Sequence, residues 1–459
     1  MSHQLFTRRD ALKTLVAGSA AAWILPARLR AAPSDQLRLA FIGAGGWARE
    51  AIGSLVGEHY VAFCDVDEAR AAPIYSLFPN VPRYRDLRQM WDRHGKEIDA
   101  VVVTTPDHSH YPLAMHCLAE RKHVYLEKPM ATTPWECRRI AAAARAAGVT
   151  TQLGVQGHSA EGLRVLREWV EAGVVGPVQD VWFWTDRTHP RIAEWSESLA
   201  DPAEVPSTLN WRAWLADRPD RPYSPRYLPQ RWRNWWTFGS GAICDIGTHM
   251  FDVLRSTFDT EFPDVVTAEV SGRSAFTIPR WCNLEWEFPA KGGRGPLKVH
   301  WRNGWRERQQ NLPEAIPHVP AEVLGKTTNG MAFIGTEGTL FIPDMRANRR
   351  PKIFPVERER EVLAAPPPKR LPRPKGGHFR DWLQAVREQR PASADFSYGA
   401  ALTEQVLLGA IAQRIEGPLR WDAAAMRVDR VPEAEAFIRP PRRSDAWEPP
   451  AWLAPHLPG

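Results

Sequence analysis

The chain has 459 residues, of which 44% are hydrophobic and 24% charged, so it is long enough for two or three domains with a sizeable core. This composition excludes a disordered or fibrous protein. The net charge of +6 is concentrated at the N-terminus, because the first 32 residues carry four of the six net positive charges. The remainder is nearly neutral and gives no electrostatic reason to expect a nucleic-acid partner.

The first 32 residues have the organisation of an export signal. Arg8 and Arg9 precede an apolar run over residues 15–25, and small residues follow at Ala31. This pattern resembles a twin-arginine signal, a route that carries folded proteins, and predicts a periplasmic or otherwise exported protein. The apolar run is shorter than the ~20 residues that span a bilayer, so no permanent membrane anchor is expected. An amphipathic N-terminal helix is the alternative.

The cysteines are widely spaced and contain no CxxC pair. They are Cys64, Cys117, Cys137, Cys244 and Cys282. This spacing argues against a disulfide framework and against a zinc site. We therefore expect small buried hydrophobic residues at these positions, and no metal.

A dinucleotide-binding fingerprint follows the signal. After an apolar stretch at residues 37–42, which predicts a strand, the chain has the pattern G-x-G-x-x-A and then a helix-like stretch. The candidate cofactor-binding residues of this turn are Gly43, Gly45, Gly46, Trp47 and Ala48. The first glycine permits a tight turn, the second lets the backbone approach a pyrophosphate, and the alanine allows close packing of helix on strand.

A second predicted strand, at residues 61–64, ends at Asp65. An acidic side chain at this position accepts hydrogen bonds from the adenosine ribose and repels a 2′-phosphate, so NAD is the expected cofactor and NADP is less favoured. Arg70 could soften this preference, because a nearby arginine can accept a 2′-phosphate.

Strands continue to alternate with helices after residue 98. Predicted strands at residues 98–103 and 123–126 run into polar residues. The candidate cofactor-binding residues at these strand ends are Thr105, Pro106, His110, Glu127 and Lys128. Such alternation predicts a doubly wound parallel sheet, whose ligand lies at the carboxyl ends of the strands.

With these motifs the chain resembles the Gfo/Idh/MocA oxidoreductases, and most of all their exported branch. The likeness rests on the turn at residues 43–48, on Asp65, on residues 105–110 and, most specifically, on the Glu-Lys-Pro motif at residues 127–129. The resemblance implies a Rossmann domain followed by an α/β domain with an open, mostly antiparallel sheet. It also implies that a sugar or cyclitol binds between the two.

The second half is rich in tryptophan, which is concentrated among prolines and arginines at residues 205–238. A tryptophan face packs well on the apolar face of a sugar, whereas most tryptophans in proteins fill cores and interfaces. Both interpretations stay open, with only one or two of these rings expected to touch a ligand. The candidate substrate contacts are Gln156, His158, Arg187 and Trp235.

A predicted helix opens at residues 239–241 and places Asp245, His249 and Asp252 on one face, at positions i, i+4 and i+7. This polar face could be solvated, could bind a metal or could line a catalytic site. A metal is disfavoured, because no third ligand lies nearby in the sequence. The resemblance implies a catalytic role for Asp245 and His249, together with Lys128 of the Glu-Lys-Pro motif.

Oxidation of a sugar hydroxyl by NAD⁺ requires a group that takes the hydroxyl proton. We assign this proton transfer to Lys128 and a supporting role to His249, with the reverse assignment open. Lys128 can act only if burial and the cofactor lower its pKa, whereas a histidine is already poised near neutral pH. Asp245 would orient the histidine or bind a neighbouring hydroxyl, and Glu127 would hold the nicotinamide ribose.

The sequence predicts an exported, NAD-dependent oxidoreductase that acts on a carbohydrate. Free NAD is not maintained outside the cytoplasm, so the cofactor must stay bound and be recycled on the enzyme. Two reactions satisfy this condition: hydride exchange between sugars, or transient oxidation of a glycoside that leads to elimination or hydrolysis. The rivals are a carbohydrate-binding protein that has lost the chemistry, and a cytoplasmic dehydrogenase that uses soluble NAD.

Four segments are expected. Residues 1–32 form the signal, 37–155 the Rossmann domain, 156–439 the substrate and oligomerisation domain, and 440–459 a C-terminal tail. Within the second domain, residues 343–375 read as a solvated loop, and two helices at residues 379–388 and 399–415 are expected to pack against that domain. The open sheet suggests a homodimer or homotetramer, and the tail suggests an arm that reaches a neighbouring subunit.

Overall fold

The computed structural model describes residues 36–187, 195–442 and 447–459. The predicted export signal at residues 1–32 lies outside the described residues and stays a prediction. The described part of the chain forms a parallel sheet and a larger mixed sheet, with helices packed around both. This arrangement confirms the predicted fold class, a Rossmann domain followed by an α/β domain.

The first sheet has six parallel strands in the order β3–β2–β1–β4–β5–β6. The strands are β1 (Arg38–Ile42), β2 (His59–Cys64), β3 (Arg83–Tyr84), β4 (Ala100–Val103), β5 (His123–Glu127) and β6 (Thr151–Gly154). The central strands β1 and β4 are apolar and almost completely buried, as expected where helices cover both faces of a parallel sheet. The strand order reverses between β1 and β4, and the ligand crevice of such a sheet opens there, at the carboxyl ends.

Five helices accompany these strands. They are α1 (Ala48–Ser54), α2 (Glu68–Leu77), α3 (Leu87–His94), α4 (Asp107–Ala119) and α5 (Pro134–Ala147). Helix α4 begins at Asp107, because an acidic residue favours a helix N-terminus, and Pro112 is accommodated inside the helix. His110, which the sequence placed at a strand end, therefore lies in the first turn of a helix.

The second sheet has eight strands. Its main path is β14–β13–β12–β7–β10–β9–β8, and β11 pairs with β10. The strands are β7 (Val178–Thr185), β8 (Val265–Val270), β9 (Trp281–Phe288), β10 (Leu297–Arg306), β11 (Gln309–Gln310), β12 (Gly330–Gly335), β13 (Thr339–Ile342) and β14 (Lys352–Phe354). Neighbouring strands are antiparallel except for β7 and β10, which run parallel. The predicted open, mostly antiparallel sheet is confirmed.

Helices cover one face of this sheet. The helices of the second half are α6 (Glu161–Glu171), α7 (Trp211–Trp214), α8 (Thr248–Phe258), α9 (Ala321–Gly325), α10 (Val356–Ala364), α11 (Gly377–Arg387), α12 (Phe396–Ala412) and α13 (Glu435–Ile438). Phe251 of α8 contacts Phe183 and Trp286 of the sheet, and the Trp286 indole donates a hydrogen bond to the Gln405 carbonyl of α12. Because α12 also packs on α5, it joins the two halves of the molecule.

The prediction that the helix near residues 379–388 packs against the second domain was wrong in part, because this helix contacts residues 156–159 of that domain but also covers the first sheet. Phe379 of α11 stacks on Tyr125 of β5, with ring centroids 4.5 Å apart, and Trp382 meets the same ring edge-on. Both join the apolar cluster that contains Leu39 and Phe41 of β1. Both faces of a parallel sheet are normally covered by helices, and α11 covers part of one face of the first sheet.

The prediction of a solvated loop over residues 343–375 was also wrong in part, because this range contains β14 and α10. Arg358 and Glu361 form an ion pair one turn apart on α10, at 2.9 Å. The many prolines and charged residues in this range favoured the prediction of a loop. The range nevertheless contains a short amphipathic helix, in which Val362 is buried.

The five cysteines are buried and their thiols are free, as expected for small hydrophobic residues. The described tail residues, 447–459, pack on their own chain, where Leu453 is fully buried. In the ranges that the structure describes, no helix is both long and apolar enough to cross a bilayer. The same ranges contain no group of three or more His, Cys, Asp or Glu side chains arranged to hold a metal ion.

Candidate active site

A cavity of about 960 Å³ runs between the carboxyl ends of the first sheet and the helices of the second half. This volume lies at the upper end of the range for small-molecule sites, roughly 300–1,000 Å³. The glycine turn after β1 lines the cavity, and so do the loops after β2, β4 and β5. Residues 241–249 of the second half form the facing wall.

The glycine turn has the geometry that its sequence predicts. Gly43 has φ +88°, and a Cβ there would lie 2.9 Å from the Thr104 carbonyl oxygen, so a larger residue is excluded. A Cβ on Gly45 would lie 3.2 Å from Arg70, which packs over the turn. Ala48 is fully buried between helix and sheet. Gly45, Gly46 and Trp47 line the cavity.

The Asp65 carboxylate anchors this turn. Its Oδ2 accepts hydrogen bonds from the backbone N–H groups of Ala44 at 2.8 Å and Gly45 at 2.9 Å, and its Oδ1 accepts one from Asp67 N–H at 2.9 Å. Burial raises the pKa of Asp65, although these three bonds oppose the rise. A carboxylate has about four acceptor positions, so one stays available for a ribose hydroxyl. The predicted ribose contact stays a prediction.

We expect Asp65→Ala to weaken NAD binding by about tenfold or more and to narrow the preference for NAD over NADP. The substitution removes the acceptors that hold the glycine turn and the charge that opposes a 2′-phosphate. Titration calorimetry with both nucleotides gives the two affinities. Asp65→Asn is the matched variant, since it keeps an acceptor for the turn and removes the charge. Unchanged affinities in both variants would place the adenosine ribose elsewhere.

The loops after β4 and β5 are tied together by His110. Its Nδ1 lies 2.7 Å from the Pro129 carbonyl oxygen and its Nε2 lies 2.9 Å from that of Thr105. Thr105 and Pro106 line the cavity, whereas His110 is buried behind them. His110 thus positions the loops after β4 and β5 and does not itself line the cavity.

Glu127 links the glycine turn to β5 and β6. Its Oε1 accepts hydrogen bonds from the Trp47 indole at 2.9 Å and from the Gln156 amide at 2.8 Å. A Cβ on Gly154 would lie 2.7 Å from the carboxyl carbon, so only glycine leaves room for this side chain. Burial raises the pKa of Glu127 to about 7. Glu127 lines the cavity, and Gln156 lies behind it, bonded also to the Tyr125 hydroxyl at 3.2 Å.

Lys128 and Asp245 form an ion pair in the cavity wall. The Lys128 ammonium donates to Asp245 Oδ1 at 2.8 Å and to the Asp245 backbone carbonyl at 2.5 Å. Arg233 Nε lies 3.3 Å from the same carboxylate oxygen. Burial opposes ionisation of Asp245, but the neighbouring Lys128 and Arg233 cations outweigh it and lower its pKa. The ammonium group is therefore held in place, facing the cavity.

Asp245 lies in a π-helical turn, Ile243–Gly247, that precedes α8. Such turns interrupt the regular hydrogen bonding of a helix and are frequent at functional sites. The sequence predicted an uninterrupted helix here, with Asp245, His249 and Asp252 on one face. In the structure Asp245 and His249 line the cavity, whereas Asp252, further along α8, does not.

His249 faces the same cavity and is 2% exposed. Its Nδ1 is buried and has no hydrogen-bond partner among the described residues. Burial, and then the nearby Lys128 and Arg346 cations, lower the pKa of His249 well below its usual value. The imidazole is therefore neutral near pH 7.

A second polar cluster lies behind α8. Asp252 Oδ1 accepts hydrogen bonds from the Tyr398 hydroxyl and lies next to His158 Nδ1, each at 2.7 Å. Ser256 bonds to the same tyrosine at 2.9 Å. His158, a candidate substrate contact, thus lies outside the cavity lining in this structure.

The aromatic segment at residues 205–238 forms a cluster of its own. Trp235 is buried in it, and its indole donates a hydrogen bond to the Arg226 carbonyl at 3.2 Å. Four tryptophans line the cavity, namely Trp47, Trp214, Trp232 and Trp447. Arg187, the fourth candidate substrate contact, also lines the cavity. Most aromatic rings of the segment are buried in the core. This agrees with the interpretation that most of the tryptophans fill cores and interfaces.

Three further residues that line the cavity had no role predicted from the sequence. Asp107 lies at the start of α4, and burial raises its pKa to about 7. Arg346 follows β13, and its guanidinium lies 5.2 Å from the centre of the Trp47 ring. Arg233 stacks on Trp232 at 4.2 Å. Asp107 lies in the strand-end motif at residues 105–110 and Arg233 in the tryptophan-rich segment, whereas Arg346 comes close to the site only through tertiary folding.

Several buried histidines predict how stability depends on pH. They are His108, with a pKa that burial lowers to about 3, and His110 and His378, each lowered to about 4. Below about pH 6.5 the unfolded chain binds protons that these buried rings exclude, so stability is lost as the pH falls toward 4. Asp65, Asp107 and Glu127 act in the opposite sense, because folding raises their pKa.

We therefore expect the thermal unfolding midpoint to fall as the pH is lowered from about 6.5 to 4.5, since these three histidines and His249 outnumber the three acids. Scanning fluorimetry across this range measures the midpoint. A midpoint that rises on acidification would mean that the three carboxyl groups dominate.

Two family models match the chain. The NAD-binding Rossmann-fold model of the Gfo/Idh/MocA oxidoreductase family matches residues 37–155, and the model of the family's C-terminal alpha/beta domain matches residues 163–292. Together they cover more than half of the chain.

Individual proteins show the same likeness. Inositol 2-dehydrogenase of Acidothermus cellulolyticus is 28% identical over 251 residues, which are 53% of this chain and 59% of that enzyme, less than two thirds of its length. The WlbA dehydrogenase of Bordetella pertussis, solved with NADH and UDP-GlcNAcA, has a TM-score of 0.58 at 16% identity and covers 84% of this chain and 99% of its own. The aldose-aldose oxidoreductase of Caulobacter crescentus, solved with glycerol, has a TM-score of 0.56 at 18% identity and covers 84% and 100%. By the two family models, the chain belongs to the Gfo/Idh/MocA oxidoreductase family, whose Rossmann domain is NAD-binding.

Proposed function

We propose that this protein is an exported, NAD-dependent oxidoreductase that oxidises a hydroxyl group of a sugar or glycoside and keeps its cofactor bound between turnovers. The observation that carries the proposal is that a dinucleotide turn opens onto the same cavity as Lys128, Asp245 and His249. The end of the cavity at the glycine turn can bind a nucleotide. The other end holds side chains that can donate or accept a proton.

The residues fit NAD. The tight turn at Gly43 and Gly45 leaves room for a pyrophosphate, and Arg70 offers a cation above it, with a guanidinium nitrogen 3.3 Å from a Cβ built on Gly46. Thr105, Glu127 and Lys128 would hold the nicotinamide end. When NAD⁺ is bound, it supplies the acceptor for the hydride that leaves the substrate carbon.

Two residues act on the substrate hydroxyl group, one as a hydrogen-bond donor and one as the proton acceptor. The Lys128 ammonium, fixed by Asp245, donates a hydrogen bond to the substrate oxygen and stabilises the negative charge that develops on it. His249, which is neutral and lines the cavity, accepts the proton. The geometry thus favours the reverse of the first assignment, with His249 as the base and Lys128 as the group that holds the oxygen.

A carbohydrate substrate is supported by the relatives. One curated relative is an inositol 2-dehydrogenase, and one structural neighbour is an aldose-aldose oxidoreductase. The cavity offers Arg187 and Arg233 for hydroxyl or acidic groups and the rings of Trp214 and Trp232 for apolar sugar faces. These groups suit a polyhydroxylated ring.

Export is supported by Arg8 and Arg9 and by the apolar run at residues 15–25. A protein that folds around NAD before export must keep it, so the cofactor has to be restored on the enzyme. Hydride exchange between two sugars restores it, and so does transient oxidation of a glycoside before elimination or hydrolysis.

A homodimer or homotetramer built through the open face of the second sheet is part of this proposal. On that face Trp182 stacks on His300 with centroids 4.1 Å apart, and Arg302 lies 4.9 Å from the Trp182 ring centre. Rings and cations of this kind are frequent at interfaces. Light scattering of the purified protein would contradict the proposal if it gave the mass of a single chain.

The proposal is tested by adding sugars, cyclitols and glycosides, one class at a time, to the purified full-length protein. We expect at least one class to change the redox state of bound NAD, seen in the absorbance and fluorescence of NADH. Sugar binding without any change in the cofactor would instead favour a non-catalytic carbohydrate-binding protein. Release of free NADH in proportion to added NAD would favour an ordinary dehydrogenase.

A further inference from the structure

The C-terminal tail lies over the Rossmann half of its own chain. Arg121 of the loop after α4 lies 4.3 Å from the Trp452 ring centre, and Arg139 of α5 donates a hydrogen bond to the Pro458 carbonyl at 2.8 Å. Leu453 is fully buried between these contacts. The tail is therefore a packed element of the subunit.

A buried ion pair joins the start of the tail to another segment. Arg442 Nε lies 2.8 Å from Asp217 Oδ2, with the two side chains 15% and 3% exposed. The same guanidinium donates to the Trp447 carbonyl at 2.7 Å and lies 5.4 Å from the Tyr111 ring centre. Arg442 thus connects the tail, α4 and the segment that carries Asp217.

That segment, residues 207–217, which we call the strap, crosses the loop after β2. Asn210 N–H donates to the Val66 carbonyl at 2.8 Å, and Glu68 N–H donates to the Thr208 carbonyl at 3.1 Å. This loop follows Asp65, where the adenosine ribose of a dinucleotide lies in a Rossmann fold. The strap therefore covers the adenosine end of the cavity.

The strap and the tail both reach the cavity. Asp217 and Trp447 line it, together with Leu113 and His116 of α4. Asp217 Oδ1 is buried and has no hydrogen-bond partner among the described residues. A buried acceptor without a donor is unfavourable, so this oxygen suits a ligand that brings an N–H group.

We propose that the strap and the tail form the outer wall of an adenosine subsite, in which Asp217 Oδ1 accepts a hydrogen bond from the adenine amino group and Trp447 covers the base. This inference rests on the proposed function, because it takes the cavity to bind NAD. Arg442 acts as a positioning residue, since it fixes the Asp217 carboxylate and the tail together. A base enclosed in this way leaves slowly, because the wall must move first.

The test uses the full-length protein, NAD and nicotinamide hypoxanthine dinucleotide, in which an oxygen replaces the adenine amino group. We expect the wild type to prefer NAD by about tenfold or more, as for a hydrogen bond to a charged acceptor. Asp217→Asn should narrow or reverse this preference, because the asparagine amide can donate to the hypoxanthine oxygen. Trp447→Ala and Arg442→Gln should accelerate NADH release, measured by stopped-flow displacement.

Trp281→Ala is the matched control, because Trp281 stacks on Arg306 of the second sheet at 3.8 Å and should leave release unchanged. Circular dichroism confirms that each variant is folded, and Arg442→Gln carries the test if Trp447→Ala does not fold. Unchanged release and unchanged preference between the two nucleotides in the folded variants would overturn the adenosine subsite alone. Failure of the wild type to bind either nucleotide would overturn the proposed function itself.

Discussion

Replacing Lys128 with alanine is expected to lower the rate of hydride transfer by about 100-fold or more while NAD stays bound. The ammonium group is held by the side chain and the backbone carbonyl of Asp245 and faces the cavity, so its loss removes the cation that stabilises the substrate oxygen. Single-turnover reduction of bound NAD by an active sugar measures the rate. The amount of NAD that copurifies measures retention.

Lys122→Ala is the control for this experiment. Lys122 donates to the Ile98 carbonyl at 2.8 Å, outside the cavity lining, so its removal should leave the rate of hydride transfer intact. Undiminished turnover in the folded Lys128 variant would show that the substrate oxygen lies elsewhere.

Replacing His249 with glutamine should also lower the rate by about 100-fold or more, because the proposed proton acceptor is lost. In the wild type, the low pKa of His249 keeps the base neutral in acid, so oxidation should persist well below pH 6.5. A profile of kcat against pH, limited to the range in which the protein stays folded, checks this expectation.

The exposed His318 provides the control, because it has φ +65°, a conformation that asparagine tolerates. His318→Asn should match the wild type at every pH. If the His249 variant kept the wild-type rate and profile, the proton would have to leave by another group, and Lys128 would return as the first candidate.

The Rossmann half could be predicted from the sequence because its signals are local. A strand, a tight turn with Gly43 and Gly45, and a helix follow one another within a few residues, and the chemistry of Lys128 follows β5 directly. The family and its NAD-binding fold were predicted from the same motifs and are confirmed by both family models. The open, mostly antiparallel second sheet, implied by the resemblance, is confirmed by the strand pairing.

Features that depend on tertiary structure could not be predicted. Helical periodicity placed Asp252 on the same face as Asp245 and His249, whereas in the structure its carboxylate accepts a hydrogen bond from the Tyr398 hydroxyl outside the cavity lining. The acidic residue at the end of β2 was assigned to a ribose, but its oxygens also hold the glycine turn, which no spacing rule reveals. The position of Trp447 at the cavity depends on contacts made far away in the chain.

The most direct test of the central claim, that the folded protein keeps and recycles NAD, is to purify it without added nucleotide and follow the bound cofactor. Mass spectrometry of the denatured protein should find close to one NAD or NADH per site. An active sugar should then convert this cofactor from one redox state to the other in a single stoichiometric step, and a second sugar or the activated product should reverse the change. A folded protein without nucleotide, whose activity rises linearly with added NAD while NADH accumulates in solution, would contradict the claim.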